Sequence, residues 1–342
     1  MKKILLTTLA AITMAFAASA QDNRYQTEYW NQPDKYLEHQ AWYMLDVADQ
    51  TFRANPPSTK VSKEREMAFL MLDAVLHEKA PVTNPAVLDF MARRAKLVLE
   101  DLDKPFKGKN SIRIYKIYNC GIIFRTTDVT VAVDLNGRNG MLIPDELMTK
   151  LVDKIDILFL THNHGDHVDS HVVGMCQKRD IPVYATEEIY PKDGKVRHIR
   201  PENLWAFEVS LPSTKLGVCV LPGHQDALQN NIWVITLPNG KVVCATGDQW
   251  LADRSDLVMI EKVSSQLPAI DVLAMDCWIH DFDRHLAAFS PKLLVSQHEN
   301  EIGAHGIDHR EAFWMSLNKY ENVYKLNIPY VLMGWGEWYD YK

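Results

Sequence analysis

Nowhere does the chain carry a block of basic residues. Its 37 Lys and Arg are outnumbered by 44 Asp and Glu, for a formal net charge of −7. A nucleic-acid partner requires a basic face, so none is expected. No P-loop and no Ser-His-Asp signature occurs, which removes a phosphate cradle and a nucleophile relay from the options. Internal repeats and low-complexity segments are also missing, beyond an approximate two-half layout. Cysteine is scarce: Cys120, Cys176, Cys219, Cys244 and Cys277 make five, and an odd count cannot be fully paired within one chain. Cys219 and Cys244 fall inside apparent strands, where the simplest reading is a small buried hydrophobe, and no disulfide is expected.

The long apolar run near the start has the form of a cleavable signal. Lys2 and Lys3 precede an apolar stretch, Ile4 to Ala17, and Ala18-Ser19-Ala20 offers the small-residue cut, leaving Gln21 first. No cysteine lies near the cut to carry a lipid. An exported, periplasmic chain with no stable membrane anchor is expected. At 342 residues it is long enough for one large α/β domain plus an extension.

Residues 21–108 form the expected extension, with three helices marked off by prolines. Tyr36 to Val47 is loosely amphipathic and stops near Pro56-Pro57; Met67 to His77 ends before Pro81; Val87 to Leu99 ends before Pro105. Two placements stay open: a cap over a substrate mouth, or a layer packed on the back of the main domain. His39 and His77 stand alone on these helices and read as surface or packing residues.

From residue 109 to 342 the pattern is strand-rich. Ile112 to Ile117 alternates with the two-residue period of a half-buried strand, and Thr127-Asp128 reverses the chain between the next two strands. The stretch the rest is organised around follows: four apolar residues, Ile157 to Leu160, run into Thr161-His162-Asn163-His164-Gly165-Asp166-His167. A bounded apolar run of this length reads as a buried strand, so the His/Asp cluster sits at a sheet edge. Imidazole and carboxylate suit zinc and similar divalent ions. Gly165 is read as the tight turn between ligands. The plainer alternative is a polar helix start capped by Asp166 or Asp169, but three histidines in six residues are not needed for a cap.

This H-x-H-x-D-H run resembles the signature of the metallo-β-lactamase fold hydrolases. The resemblance covers roughly residues 111–335 and implies a four-layer αββα sandwich. It implies further ligands in the order His, Asp, His, which the chain supplies as His224 in LPGHQD, Asp248 in ATGDQW and His298 in VSQHEN. His162, His164 and His224 would hold one metal. Asp166, His167 and His298 would hold a second, with Asp248 between them and Asp134 orienting a ligand histidine. Small residues before Asp248 are read as letting metals approach the backbone. Two divalent cations are implied, zinc by default because imidazole dominates, with manganese or iron as alternatives.

Such a pair activates a water for attack on an ester, lactone or phosphodiester of a small-molecule substrate, with Asp166 relaying a proton. The zinc β-lactamases generally have Cys or Ser where Asp248 stands, which lowers that activity here. Redox members generally have a carboxylate where His164 stands. The other reading is a metal-loaded binding or sensing protein without turnover. Asp276, Trp278, His280, His285 and His305 are candidates for a substrate-facing rim; the plainer reading is a surface loop with incidental histidines.

Overall fold

The computed structural model describes residues 32–78, 81–302, 311–323 and 327–342. The targeting segment, His305 and His309 lie outside them. No helix among the described residues is long and apolar enough to cross a membrane.

Helices α1 (Pro33–Ala54), α2 (Lys63–Leu76) and α3 (Pro85–Leu102) form the extension. Each starts as its sequence directs: α1 and α3 have Pro in the first turn, and Ser62 and Asn84 cap α2 and α3 through their side chains. Then come β1 (Ile112–Lys116), β2 (Ile122–Arg125), β3 (Thr130–Val133), α4 (Asp145–Val152), β4 (Ile157–Phe159), α5 (Ser170–Gln177), β5 (Val183–Ala185) and β6 (Val196–His198). The second half has β7 (Trp205–Ser210), β8 (Lys215–Gln225), β9 (Leu228–Thr236), β10 (Val242–Ala245), α6 (Ser255–Val263), β11 (Val272–Asp276), α7 (Phe282–Phe289), β12 (Leu293–Gln297), α8 (Phe313–Val323), β13 (Tyr330–Val331) and β14 (Glu337–Tyr341).

The strands form two seven-stranded sheets, ordered β14-β1-β2-β3-β4-β5-β6 and β13-β12-β11-β10-β9-β8-β7. Side chains alternate across each sheet. Ile114, Phe124, Val131, Val133 and Phe159 of the first meet Val220, Trp233, Ile235, Val243 and Val295 of the second in a dry layer between the sheets. Residues of the opposite parity, such as Ala132, Leu158, Val234 and Leu273, pack instead with the helices. This is the αββα sandwich that the sequence implied.

The extension packs as part of the helical layer. Arg65 of α2, almost fully buried, donates to both carboxylate oxygens of Glu337 in β14 at 2.8 and 2.6 Å. Asp73 of α2 accepts from the backbone N–H groups of Phe313 (2.8 Å) and Trp314 (3.0 Å), so it caps α8 from another helix. Helix α2 also steadies the loop after β12: Asn300 Nδ2 donates to Asp73 at 3.0 Å.

Strand β8 runs straight through Pro222-Gly223 to Gln225, pairing Pro222 with Asn231 and His224 with Gln229. Pairing of β8 with β7 stops at Val220, so Pro222 lies on an open edge where its missing N–H costs no ladder bond. Residues 282–289 form α7 rather than loop, because Phe282, Leu286 and Phe289 give it a buried face. Gly165 has no crowding near its Cα and needs no left-handed backbone. The glycine that is required is Gly247, at φ +58°: a Cβ there would lie 2.2 Å from Asn230 Oδ1 and 2.7 Å from Thr161 Cβ. The small residue before Asp248 thus serves packing against the motif loop.

Candidate metal centre

The parallel strands β10, β11 and β12 are in register, with Ala245 opposite Ala274 and Asp276 opposite Gln297. Their C-terminal ends therefore fall together, and Asp248 and His298 follow them. Strand β4 delivers the motif loop to the same edge from the other sheet. Two bonds clamp the sheets there: Trp233 Nε1 to Leu160 O at 3.0 Å, and Asn231 N to Thr161 O at 2.8 Å.

Six of the seven expected ligands converge. Asp248 Oδ2 lies 3.1 Å from His298 Nε2, 3.2 Å from His167 Nε2 and 3.7 Å from His162 Nε2. Asp166 Oδ2 lies 3.2 Å from both His167 Nε2 and His298 Nε2. His164 packs edge-on against His162, with ring centroids 4.7 Å apart. Asp134 sits where expected: its Oδ2 accepts from His167 Nδ1 at 2.8 Å, and the carboxylate also takes the Thr161 N–H and hydroxyl at 2.8 and 2.7 Å. That arrangement fixes His167 with Nε2 facing inward. Trp278 Nε1 lies 3.2 Å from His298 Nδ1. Asp169 caps α5, accepting from His171 N and Val172 N.

His224 joins none of the groups of described residues whose ligand atoms lie within 4.8 Å of one another. It belongs to the paired end of β8, and its Nδ1 faces both oxygens of Asp256 at 3.1 Å, leaving Nε2 as its free atom. It lines a separate pocket of about 170 Å³ with Glu187, Arg200 and Gln229.

Two residues that sequence reasoning did not single out enter instead. Cys120, from the turn between β1 and β2, groups with His167, Asp248 and His298; Glu301 groups with Asp166 and His298. Glu301 carries a hint, as a carboxylate three residues after His298. Cys120 carries none, being far from the motif in the sequence. Of the expected rim, Trp278 lines the cavity. Asp276 and His285 are buried, and His285 belongs to α7. His280 stacks on Trp250, with centroids 3.5 Å apart.

The electrostatics are those of a cluster of charges pressed together. Burial works against charged imidazoles at His167 and His298, but the neighbouring carboxylates, Asp248 first, overcome it and hold both rings protonated well above the ordinary range. Burial and the nearby His167 push His162 well below it. Burial raises Asp166 and Asp248, yet His167 and His298 outweigh it and hold both carboxyls well below the usual range. Burial, then Asp248, pushes Asp276 up to about 8. Burial, then Asp166, pushes Glu301 up to about 7. The Cys120 thiol is pushed up to about 12, chiefly by burial.

The donor set fits divalent cations. His162 Nε2, His167 Nε2 and Asp166 Oδ2 are buried with no hydrogen-bond partner, and all three lie in the cluster. Buried polar atoms are rarely left so, and a cation satisfies all of them together. Asp248 is common to the group with His162 and His164 and to the group with Cys120, His167 and His298, as a bridging carboxylate requires. A cavity of about 680 Å³ opens onto the cluster, walled by Trp250, Trp278, Gln225, Asp226 and Glu311.

No family model matches the chain. Solved structures similar to it are metallo-hydrolases and relatives of that fold. Igni18, a metallo hydrolase from the archaeon Ignicoccus hospitalis, is 17% identical, with a TM-score of 0.49 over 68% of this chain and 99% of that one. CmlA, a diiron β-hydroxylase from Streptomyces venezuelae, is 16% identical, with a TM-score of 0.48 over 68% of this chain and 54% of that one. An isothiocyanate hydrolase from Delia radicum gut bacteria is 14% identical, with a TM-score of 0.46 over 66% of this chain and 98% of that one.

Proposed function

We propose that the chain is an exported, metal-dependent hydrolase that works with two divalent cations on a small-molecule ester, lactone or phosphodiester. The observation that carries this reading is the convergence of partnerless buried donors, His162, His167 and Asp166, with Asp248 shared between two groups, at the floor of an open cavity. His162, His164 and Asp248 would hold one cation. His167, His298 and Asp248, with Asp166 beside them, would hold the other. Such cations supply Lewis acidity and activation of water at neutral pH.

The chain's own residues do the rest. Asp134 keeps the His167 proton on Nδ1, so that Nε2 is the donor presented to the centre. Asp166, buried at the cavity wall with Oδ2 turned to the cluster, would accept a proton from the attacking water on its other carboxylate oxygen and return it to the leaving group. Trp250 and Trp278 supply a flat apolar wall for the substrate body.

The test is metal analysis and hydrolysis by the chain beginning at Gln21, across lactones, esters, thioesters, phosphodiesters and β-lactams. Turnover lost on chelation, and lost in a folded Asp248→Ala variant, is expected. Full activity of that variant would sink the mechanism, and silence with two metals bound would favour a binding or sensing role.

A further inference from the structure

The turn that carries Cys120 is held from three sides. Gly121 N donates to Tyr118 O and Ile117 N to Gly121 O, both at 2.8 Å. A Cβ at Gly121 would lie 3.1 Å from Asp134 O, so the turn presses on the backbone of the residue that orients His167. His298 N reaches Asn119 O at 3.4 Å. The turn is thus wedged between two elements of the metal centre, and its cysteine, 2% exposed, points its sulfur to within 3.9 Å of Asp248 Oδ1.

We propose that Cys120 is a metal ligand, its thiolate completing a four-donor site with His167, Asp248 and His298. The inference rests on the reading above that the centre binds divalent cations. Three arguments support it. The ligand atoms of these four buried residues lie within 4.8 Å of one another. His167 Nε2, fully buried and partnerless, is independently aimed at the same point. The charge also favours it: Asp248 is common to both groups, so a thiolate adds negative charge at this position beside two neutral imidazoles. On binding, the S–H proton leaves to solvent and the sulfur pair forms the metal–sulfur bond; nothing is oxidised or reduced. One sulfur, two nitrogens and one oxygen form a tetrahedral zinc set, and a thiolate selects against manganese. Zinc is therefore the metal of this position on donor chemistry, beyond the count of imidazoles.

The experiment is X-ray absorption at the zinc edge on the metal-loaded full chain, paired with the near-ultraviolet spectrum of the cobalt(II) form. A sulfur shell at about 2.3 Å and a thiolate-to-cobalt charge-transfer band are expected. The band should vanish in Cys120→Ser and Cys120→Ala and persist in Cys244→Ala, with zinc affinity falling at least about tenfold in the Cys120 variants. If those variants fail to fold, the wild-type spectra alone decide. Bound metal with only nitrogen and oxygen around it overturns the Cys120 assignment and leaves the hydrolase reading standing. A folded chain that binds no metal overturns both.

Discussion

Replacing Asp134 by Asn tests how the motif histidines are held. The residue has φ +47°, a left-handed conformation that Asn tolerates as well as Asp, so the backbone is unaffected. In wild type the carboxylate accepts three hydrogen bonds, from Thr161 N, Thr161 Oγ1 and His167 Nδ1. An amide can keep the first through its oxygen. Its NH2 group then faces His167 Nδ1 at the position of the 2.8 Å bond, donor against donor. Relief requires the ring proton to move to Nε2, the nitrogen that lies 3.2 Å from Asp248 and belongs to the cluster. A protonated Nε2 cannot coordinate. Loss of such an orienting carboxylate typically costs 10–100-fold in metal affinity, or about 1.4–2.7 kcal/mol. Competition for zinc against a chromophoric chelator measures it, with circular dichroism to confirm the fold. An Asp134→Asn variant that binds zinc within about twofold of wild type, well short of that range, would refute the orienting role.

Two further outcomes follow from other parts of the molecule. Arg65→Ala leaves Glu337 buried without its cation and should cost about 3–5 kcal/mol in urea unfolding, whereas replacing both residues by apolar ones of similar volume should recover most of that; a loss under about 1 kcal/mol, as for an exposed pair, would refute it. Because carboxylates hold His167 and His298 protonated well above the ordinary range in the metal-free centre, metal must displace those protons. Zinc affinity should therefore rise with pH and fall as the rings protonate, with proton release visible by calorimetry in buffers of different ionisation heat; a pH-independent affinity would be the contrary result.

The metal edge was legible because strands buried on both faces leave a distinctive trace. Ile157 to Leu160 and Leu293 to Ser296 are bounded apolar runs, and in parallel strands the chemistry collects after their C-terminal ends. Asp134 was named through the family resemblance, which implies an Asp after the opening strands, and it follows β3 beside the motif. His224 stands apart from the ligand groups because β8 stays paired with β9 through Pro222-Gly223, and only the pairing shows that β7 has already left that edge. Cys120 was invisible because a buried ligand thiol and a buried hydrophobe have the same sequence context; burial and distance alone separate them. The placement of α1 to α3 was open for a related reason. Amphipathic spacing says that one face of a helix is covered, and the covering surface here, including β14 and the start of α8, lies more than two hundred residues away.

Strand β1 is flanked by β2 on one side and by β14 on the other, with Ile112 opposite Tyr341. The first strand of the first sheet therefore waits for residues 337–341 before its outer row of backbone groups is paired. During synthesis, α2 likewise holds Arg65 ready for a glutamate that has yet to be made. The αββα halves cannot mature one after the other from the N-terminus, and closure of the first sheet waits on residues 337–341. Until then β1 is an exposed edge, the kind that recruits strands from neighbouring molecules. Removing residues 337–341 would be felt first as self-association at β1, three strands away from the β4 loop and its ligands.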